Sequence, residues 1–488
     1  MASHLPPELL THIALYLGED HSSLTKCARV SQQWQPVFER LIYHTLKVES
    51  DDFPQEKGTI SLLVLECLTS GPNQRRRSYV RYLEYTTFMP YNIRDYQAVK
   101  LEGYHEQNLI RAANDEAFGT AIRSLFKLLN SWGEEIKISL ALVTQGRDET
   151  LEPETEMNED ADQWQGVMDG EQVVSPYRAH FPDGISMLPQ VTCVDELLYE
   201  RMYNPLWPGA MLEIAESCLT LQRLHLTLQD SVRPDHLEFM RERRQALAAG
   251  LARLPSTLQE FRCNCELEHP WSNILPALDL RPPNSKIDGL SSTLRLLSCN
   301  LRKLKISGMS LDMDFLFPLD DSGNPTSDAS SLYWPYLESI NLDSEWLLDY
   351  ELSPEDAEDF PDPATGNQIF ESRWLLEEDE VTRDKPKPEH FHRLFISLGY
   401  AARRMPCLKL INVFPVEWPR TELEFHGGST ATKQCLIFRS DSAYRRDQRV
   451  ATAWGFSLDV MDVEDTWPLE DYHSVVCEVT LDRFAFDE

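Results

Sequence analysis

At 488 residues, with 42% apolar residues and 17 Tyr, 20 Phe and 11 Trp, the chain has material for a large single array or two to three domains. That apolar content excludes wholesale disorder. Its formal net charge of -33 sets up a field that repels phosphate backbones and argues against general nucleic-acid binding.

No run reaches the roughly eighteen apolar residues of a membrane span; the longest candidate, around Ile60 to Leu68, is interrupted by Glu66. The N-terminus lacks the basic start and continuous apolar core of a signal peptide, so an intracellular setting, cytoplasmic and/or nuclear, is expected. The ten scattered cysteines, many inside apolar runs, predict reduced, buried thiols rather than a disulfide framework.

The first stretch with a legible pattern runs from Leu5 to Leu46. Pro6 and Pro7 suit the opening turn of a helix, where a missing N–H costs nothing. Leu9, Leu10, Ile13 and Leu17 then form a helical stripe that Gly18 stops. Ser23 is a plausible N-cap for a second helix carrying Leu24, Cys27 and Ala28, and Ser31 for a third carrying Trp34, Phe38, Leu41 and Ile42. Pro36 falls inside that third helix, where it would remove a backbone donor and bend or restart it. So small a unit has too little interior for all these side chains. Some of its apolar surface needs another protein, or the rest of this one.

Leu5-Pro6, Glu8-Leu9-Leu10, Ile13, Leu17, Leu24, Val30 and Trp34 match the F-box pattern in order and spacing, so residues 1–47 resemble an F-box. The resemblance implies a helical module that docks on a Skp1-type adaptor, which joins it to a cullin-RING ubiquitin ligase while the rest of the chain selects a substrate protein. On that reading Leu5, Pro6, Leu9, Leu10, Ile13 and Leu17 make the docking face of the first helix. Leu24, Val30 and Trp34 complete it or support it from behind. An ordinary helical hairpin packed on its own domain is the other reading of the same residues.

Beyond it, Lys47-Val48 reads as a short strand and Thr59 to Leu68 as a helix ended by Ser70-Gly71-Pro72. Arg75-Arg76-Arg77, after that turn, reads as a solvated loop. Val80-x-x-Leu83-x-Tyr85 introduces a form, apolar-x-x-apolar-x-apolar, that returns from Leu221, Leu258, Leu301, Leu337 and Leu408, with a shorter echo from Ile136 to Leu140. The later steps are 37, 43, 36 and 71 residues, the last close to twice 36. Helical patterns lie between them at Asn108 to Leu129, Pro208 to Cys218, Leu237 to Leu254 and His390 to Arg404. Strand, helix, strand at a roughly fixed step predicts a curved, mostly parallel sheet with helices outside. The layout resembles that of fungal F-box proteins with divergent leucine-rich repeats. An unrelated α/β domain with alternating strands is the alternative. The array is expected to hold the substrate on its concave strand face, through positions such as Arg223, His225, Arg302, Lys303, Lys305 and Asn341.

Two acidic stretches interrupt the array: Asp148 to Glu171 carries ten acids and no Lys or Arg, and Asp343 to Val381 fourteen acids against Arg373. Both read as surface insertions, the second half-anchored by aromatics such as Trp346 and Trp374; recruitment of a basic partner is the sharper reading. From Thr421 the pattern changes. Strands at Glu422 to His426, Gln434 to Arg439 and Ser474 to Leu481, with a helix from Asp441 to Gly455, suggest an α+β piece that caps the array.

No phosphate-cradling Gly-rich loop, Gly-x-Ser-x-Gly elbow or His-Glu-x-x-His motif occurs. Cys263-x-Cys265 with His269 has the wrong spacing for a usual zinc knuckle, and the cysteines fit better in a strand. Asp459, Asp462 and Asp465 would line one face of a helix as an exposed acidic edge. Asp320 to Gly323 lacks the twelfth-position Glu of a calcium loop.

The expected architecture is α/β. It comprises a three-helix F-box over 1–47, an irregular leucine-rich-repeat-like array over 48–420 with acidic insertions near 148–171 and 343–388, and a small α+β cap over 421–488. No catalytic residue, metal, cofactor, nucleic acid or membrane is expected to be involved. The expected role is a non-enzymatic substrate-recognition subunit of an SCF-type ubiquitin ligase. An F-box scaffold acting without ubiquitin transfer, or an enzyme domain of unrecognised type after residue 50, are the alternatives.

Overall fold

The computed structural model describes residues 5–18, 21–50, 58–91, 109–148, 177–182, 188–199, 206–229, 237–266, 280–281, 288–343, 388–414, 421–427, 434–440, 447–458, 462–469 and 472–481. The bodies of both acidic insertions, with Trp346 and Trp374, and His269 and Asp459 lie outside the described residues.

Three short helices open the chain: α1 (Pro7–Leu17), α2 (His21–Ala28) and α3 (Gln35–Ile42). Pro opens α1, and Gly18 ends it at φ 60°, a conformation that glycine adopts without a Cβ penalty. Two cap expectations are corrected. α2 starts ahead of Ser23, and Ser31 sits in a turn before α3, where its Oγ accepts from the Trp34 N–H at 3.3 Å. Because α3 starts only at Gln35, Pro36 occupies its first turn, where the N–H has no intrahelical partner. It does not break the helix.

The remaining elements build one fourteen-stranded sheet. In chain order they are β1 (Thr45–Glu49), β2 (Ile60–Ser61), α4 (Leu62–Thr69), a 3-10 segment (Gly71–Tyr79), β3 (Tyr82–Tyr91), α5 (Leu109–Asn130), β4 (Ile138–Asp148), β5 (Val194–Tyr199), α6 (Pro208–Glu216) and β6 (Arg223–Gln229). There follow α7 (Leu237–Leu251), β7 (Glu260–Glu266), α8 (Gly289–Ser298), β8 (Lys303–Ser307), β9 (Ser339–Asp343), α9 (Pro388–Ala402) and β10 (Leu410–Val413). The last elements are β11 (Thr421–His426), β12 (Gln434–Ser440), α10 (Gln448–Trp454), β13 (Asp462–Leu469) and β14 (Tyr472–Leu481).

Strands β2, β1 and β3 to β10 run parallel; β11, β12, β14 and β13 extend the same sheet antiparallel. Register ties the repeated motif together. Leu46, Leu83, Leu140, Leu197, Leu224, Phe261, Leu304, Ile340 and Ile411 pair in one continuous cross-strand row. All but Leu46 are buried, because alternate strand residues point to one face and a one-residue slip would expose the row. Phe118, Ile122, Leu125 and Leu129 of α5 and Leu394, Phe395 and Leu398 of α9 belong to the same core.

The strand entries repeat as well. The Gln222 carbonyl accepts from the N–H groups of Gln259 and Glu260, that of Gln259 from Arg302 and Lys303, and that of Arg302 from Glu338 and Ser339.

Several local expectations shift. The segment from Thr59 divides into β2 and α4, because the Ser61 Oγ accepts from the Val64 N–H and starts the helix there. The last helix starts at Gln448 rather than Asp441, capped by Asp447. Asp462 and Asp465 lie on β13, so the acidic helix face is corrected to a strand paired with β14. Cys263 and Cys265 are buried on β7. Arg75 to Arg77 belong to the 3-10 segment, and Arg77 is buried, donating to the carbonyls of Thr69 and Ser131.

Candidate functional site

Ala14, Leu24 and Phe38 form a small core of their own between the three opening helices, with Leu17, Cys27, Ala28, Trp34, Val37, Leu41 and Ile42 against it. The Trp34 ring stacks on Phe38 with centroids 5.5 Å apart, and its Nε1–H is buried without a partner among the described residues. The Gln33 side-chain amide donates to the Leu5 carbonyl at 3.0 Å and ties the start of the chain to the turn before α3.

This core uses one side of α1 only. Ala14 belongs to it and Leu17 packs against it, and Leu10, on the same side of the helix, is fully buried. Leu9 and Ile13 point outward, 49% and 36% exposed, with Leu15 at 59% and Tyr16 at 91%. Leu9, Ile13 and Tyr16 stand at i, i+4 and i+7 on one helical face, which is left partly open at Leu9 and Ile13 and almost fully open at Tyr16.

The residues expected at the docking surface therefore divide. Pro6, Leu9, Ile13 and Val30 are exposed; Leu5, Leu17 and Trp34 are half-buried; Leu10 and Leu24 are buried and support the face from behind. Sequence reasoning missed Leu15 and Tyr16. The signal for Tyr16 was present, since it continues the Leu9–Ile13 spacing.

The helices are locked to the sheet through a buried carboxylate. Glu39 of α3 accepts from Arg76 Nη2 at 2.7 Å, from Gln35 at 2.8 Å and from Arg75 at 3.4 Å. Burial pushes the Glu39 carboxyl up, but the hydrogen bonds from Arg76 and Gln35 and the charges of both arginines outweigh it and hold it below the ordinary value. Arg76 also stands over the Tyr43 ring at 5.0 Å, and Arg40 over Tyr79 at 5.8 Å.

A second surface lies on the sheet face turned away from the helices. His225, Arg262, Lys305, Asn341 and Asn412 pair across β6 to β10 in one row, and Arg223, Glu260, Lys303 and Ser339 form the row beside it. Arg302, expected on this face, sits at the entry to β8 and pairs with Glu338 at 3.0 Å.

Among the described residues the one group with metal-ligand geometry is Glu389, His392 and Asp447. Arg449 donates to both carboxylates, at 2.6 Å to each, so an internal cation already bridges them. The Asp320 carboxylate accepts from the N–H groups of Ser322 and Asn324, closing a turn on itself.

No curated protein matches the chain. Residues 2–48 match the family model described as F-box-like, and the matched span takes in all three opening helices and the small core between them. The N-terminal unit of this chain is an F-box-like domain.

Proposed function

We propose that the chain is the substrate-recognition subunit of an SCF-type (Skp1-cullin-F-box) ubiquitin ligase. F-box domains generally bind Skp1-type adaptors, and the observation that carries the reading is the exposed apolar face of Leu9, Ile13 and Tyr16 on a helix whose other side is already packed. Burying one such side chain is worth roughly 1.5–3 kcal/mol, so a handful gives a stable contact after the cost of association is subtracted. The adaptor brings the cullin.

The rest of the chain is read as a leucine-rich-repeat-like array over 48–420 and an α+β cap over 421–488. The in-register motif row supports the first, and the change from parallel to antiparallel pairing between β10 and β11 supports the boundary. The array holds a substrate protein on the face opposite the helices. The chain itself is read as non-enzymatic, working in the cytoplasm and/or nucleus. An F-box scaffold that binds adaptor without promoting ubiquitin transfer is the second reading, told apart by recovery of adaptor without cullin.

Co-purification with a Skp1-type adaptor tests the proposal. The wild-type chain recovers adaptor and Leu9→Glu/Ile13→Glu does not, while the double variant keeps its sheet by circular dichroism. Equal recovery from both refutes the reading.

A further inference from the structure

Glu260 on β7 is the centre of an unbalanced cluster. Its carboxylate, 10% exposed, accepts from Arg262 Nε at 2.6 Å, lies 3.5 Å from Lys303 Nζ and 3.8 Å from His225 Nε2. Those charges and hydrogen bonds overcome the upward push of burial and hold it ionised, below the ordinary carboxylate range.

One carboxylate cannot balance what surrounds it. Arg262 remains 48% exposed and Lys303 57% exposed. Lys305, next to Arg262 in register, is exposed, and among the described residues no carboxylate pairs with it. Arg262, Lys303 and Lys305 outnumber Glu260 and the next carboxylate on this face, Asp343 at the end of β9, which accepts from Ser307 Oγ at 3.2 Å, and so leave one uncompensated positive charge even with His225 neutral. The row continues through Asn341 and Asn412, which bring amides and no charge, before Glu424, whose carboxylate is bound by Arg439 at 2.6 Å. In a chain of net charge -33 this is a local reversal of sign.

Sheet geometry says what fits. Lys303 and Lys305 are two residues apart on one strand, about 6.6 Å, with Arg262 one strand away at about 4.8 Å. An extended polypeptide with Asp or Glu at alternate positions repeats its carboxylates at the same spacing of about 6.6 Å.

We propose that the face formed by His225, Arg262, Lys303 and Lys305 is the docking site for an extended, acidic segment of the partner protein. The inference rests on reading this sheet face as the substrate-holding surface and names the chemistry of what it holds. Duplex nucleic acid, the other polyanion, carries a charge about every 1.7 Å against about 6.6 Å for such a peptide, and so meets the negative field of the chain more strongly.

The test uses the full-length chain and a fluorescein-labelled peptide of roughly a dozen residues with Asp at alternate positions between serines, read by fluorescence polarisation. Its Asn-for-Asp counterpart and a single-stranded oligonucleotide of matched charge are the controls. The Asp peptide binds, and more weakly as salt rises from about 0.05 to about 0.3 M. Arg262→Glu/Lys305→Glu weakens it by about tenfold or more, whereas Lys127→Glu, on the exposed side of α5, does not. Lys305→Ala, which removes no described ion pair, gives a smaller loss in a chain of unchanged melting temperature and serves if the double variant misfolds. Equal binding of the Asn peptide, retention of affinity by a folded charge variant, or preference for the oligonucleotide overturns the proposal. Adaptor capture is measured on the same samples. Adaptor lost with peptide binding intact refutes the ligase reading alone; the reverse refutes the acidic-segment site alone.

Discussion

Glu39 of the third helix and Arg76 of the 3-10 segment, 37 residues apart, meet in a two-point ion pair at 2.7 and 3.2 Å with the carboxylate only 5% exposed. The pair fixes the F-box-like helices, and so their exposed apolar face, to the first strands of the sheet. Severing one partner of a buried pair leaves the other charge without compensation in a poorly solvated place. Glu39→Ala is expected to cost about 3 kcal/mol, and Arg76→Ala a comparable amount. The double variant should cost less than the sum of the singles, the mark of direct coupling in a double-mutant cycle. The Glu39 carboxyl is held below its ordinary value, so its contribution is present at neutral pH and lost as pH falls through the folded-state value. Chemical denaturation at neutral and acid pH reads both effects; strict additivity of the singles would deny the clamp.

Two neighbouring leucines should behave oppositely. Leu10→Ala empties a fully buried site and is expected to destabilise the opening helices by about 2–4 kcal/mol. Leu9→Ala removes a side chain that is 49% exposed and should change stability by no more than about 0.5 kcal/mol while weakening adaptor capture. Hydrogen exchange of the α1 and α3 amides separates the two. Similar loss of protection in both variants would mean that Leu9 is covered by the chain itself.

The strand motif was legible because each repeat puts its apolar residues on one face and the sheet aligns them in one row, so local alternation and global register agree. β5 carries the same form, Val194-x-x-Leu197-x-Tyr199, and went unread because no helical pattern or regular step leads up to it. β13 reads DVEDTWPL, poor in apolar alternation and containing Pro468; pairing with β14 decides its conformation, which no local window contains. The three consecutive arginines look like a solvated loop for the same reason. Their partners, Glu39, the Thr69 carbonyl and the Ser131 carbonyl, lie up to 54 residues away. Arg262 was missed among the face residues. Its neighbours in register, His225 and Lys305, were both singled out, but the row that joins the three exists only once strands pair.

Gly308, just after β8, has φ 66°, and a Cβ there would stand 1.9 Å from the Cys265 carbonyl oxygen on β7. Its N–H donates to the Asp343 carbonyl at 2.6 Å, so the backbone is held from both neighbouring strands and cannot yield cheaply. Gly308→Ala is expected to cost more than about 3 kcal/mol, adding a clash to the left-handed backbone penalty of about 1–2 kcal/mol. Gly455, with φ 75° and nothing within 4 Å, isolates that penalty, so Gly455→Ala should cost only about 1 kcal/mol. Equal melting temperatures for the two alanine variants would contradict the close approach of Gly308 to β7.

Asp312 gives a stability change of opposite sign. Burial, with the nearby carboxylates of Asp288 and Asp314, pushes its carboxyl up to about 6, although Arg244 and Arg281 pull the other way. A folded-state value above the unfolded one means that the folded chain binds this proton more tightly. The associated stability is fully present below the unfolded value and is lost as pH rises through about 6. Near neutral pH the native state carries a poorly solvated charge, at a cost of about 1.4 kcal/mol for every tenfold weakening of the acid. Asp312→Asn removes the charge and leaves intact the backbone N–H that donates to Ser291 Oγ at 3.0 Å. The variant should therefore be more stable than wild type by about 1–3 kcal/mol at about pH 7.5, with the advantage shrinking toward about pH 5. Denaturant titrations at the two pH values measure it. An advantage that grows on acidification would reverse the sign and show that Asp312 is held ionised by its arginines rather than strained by burial.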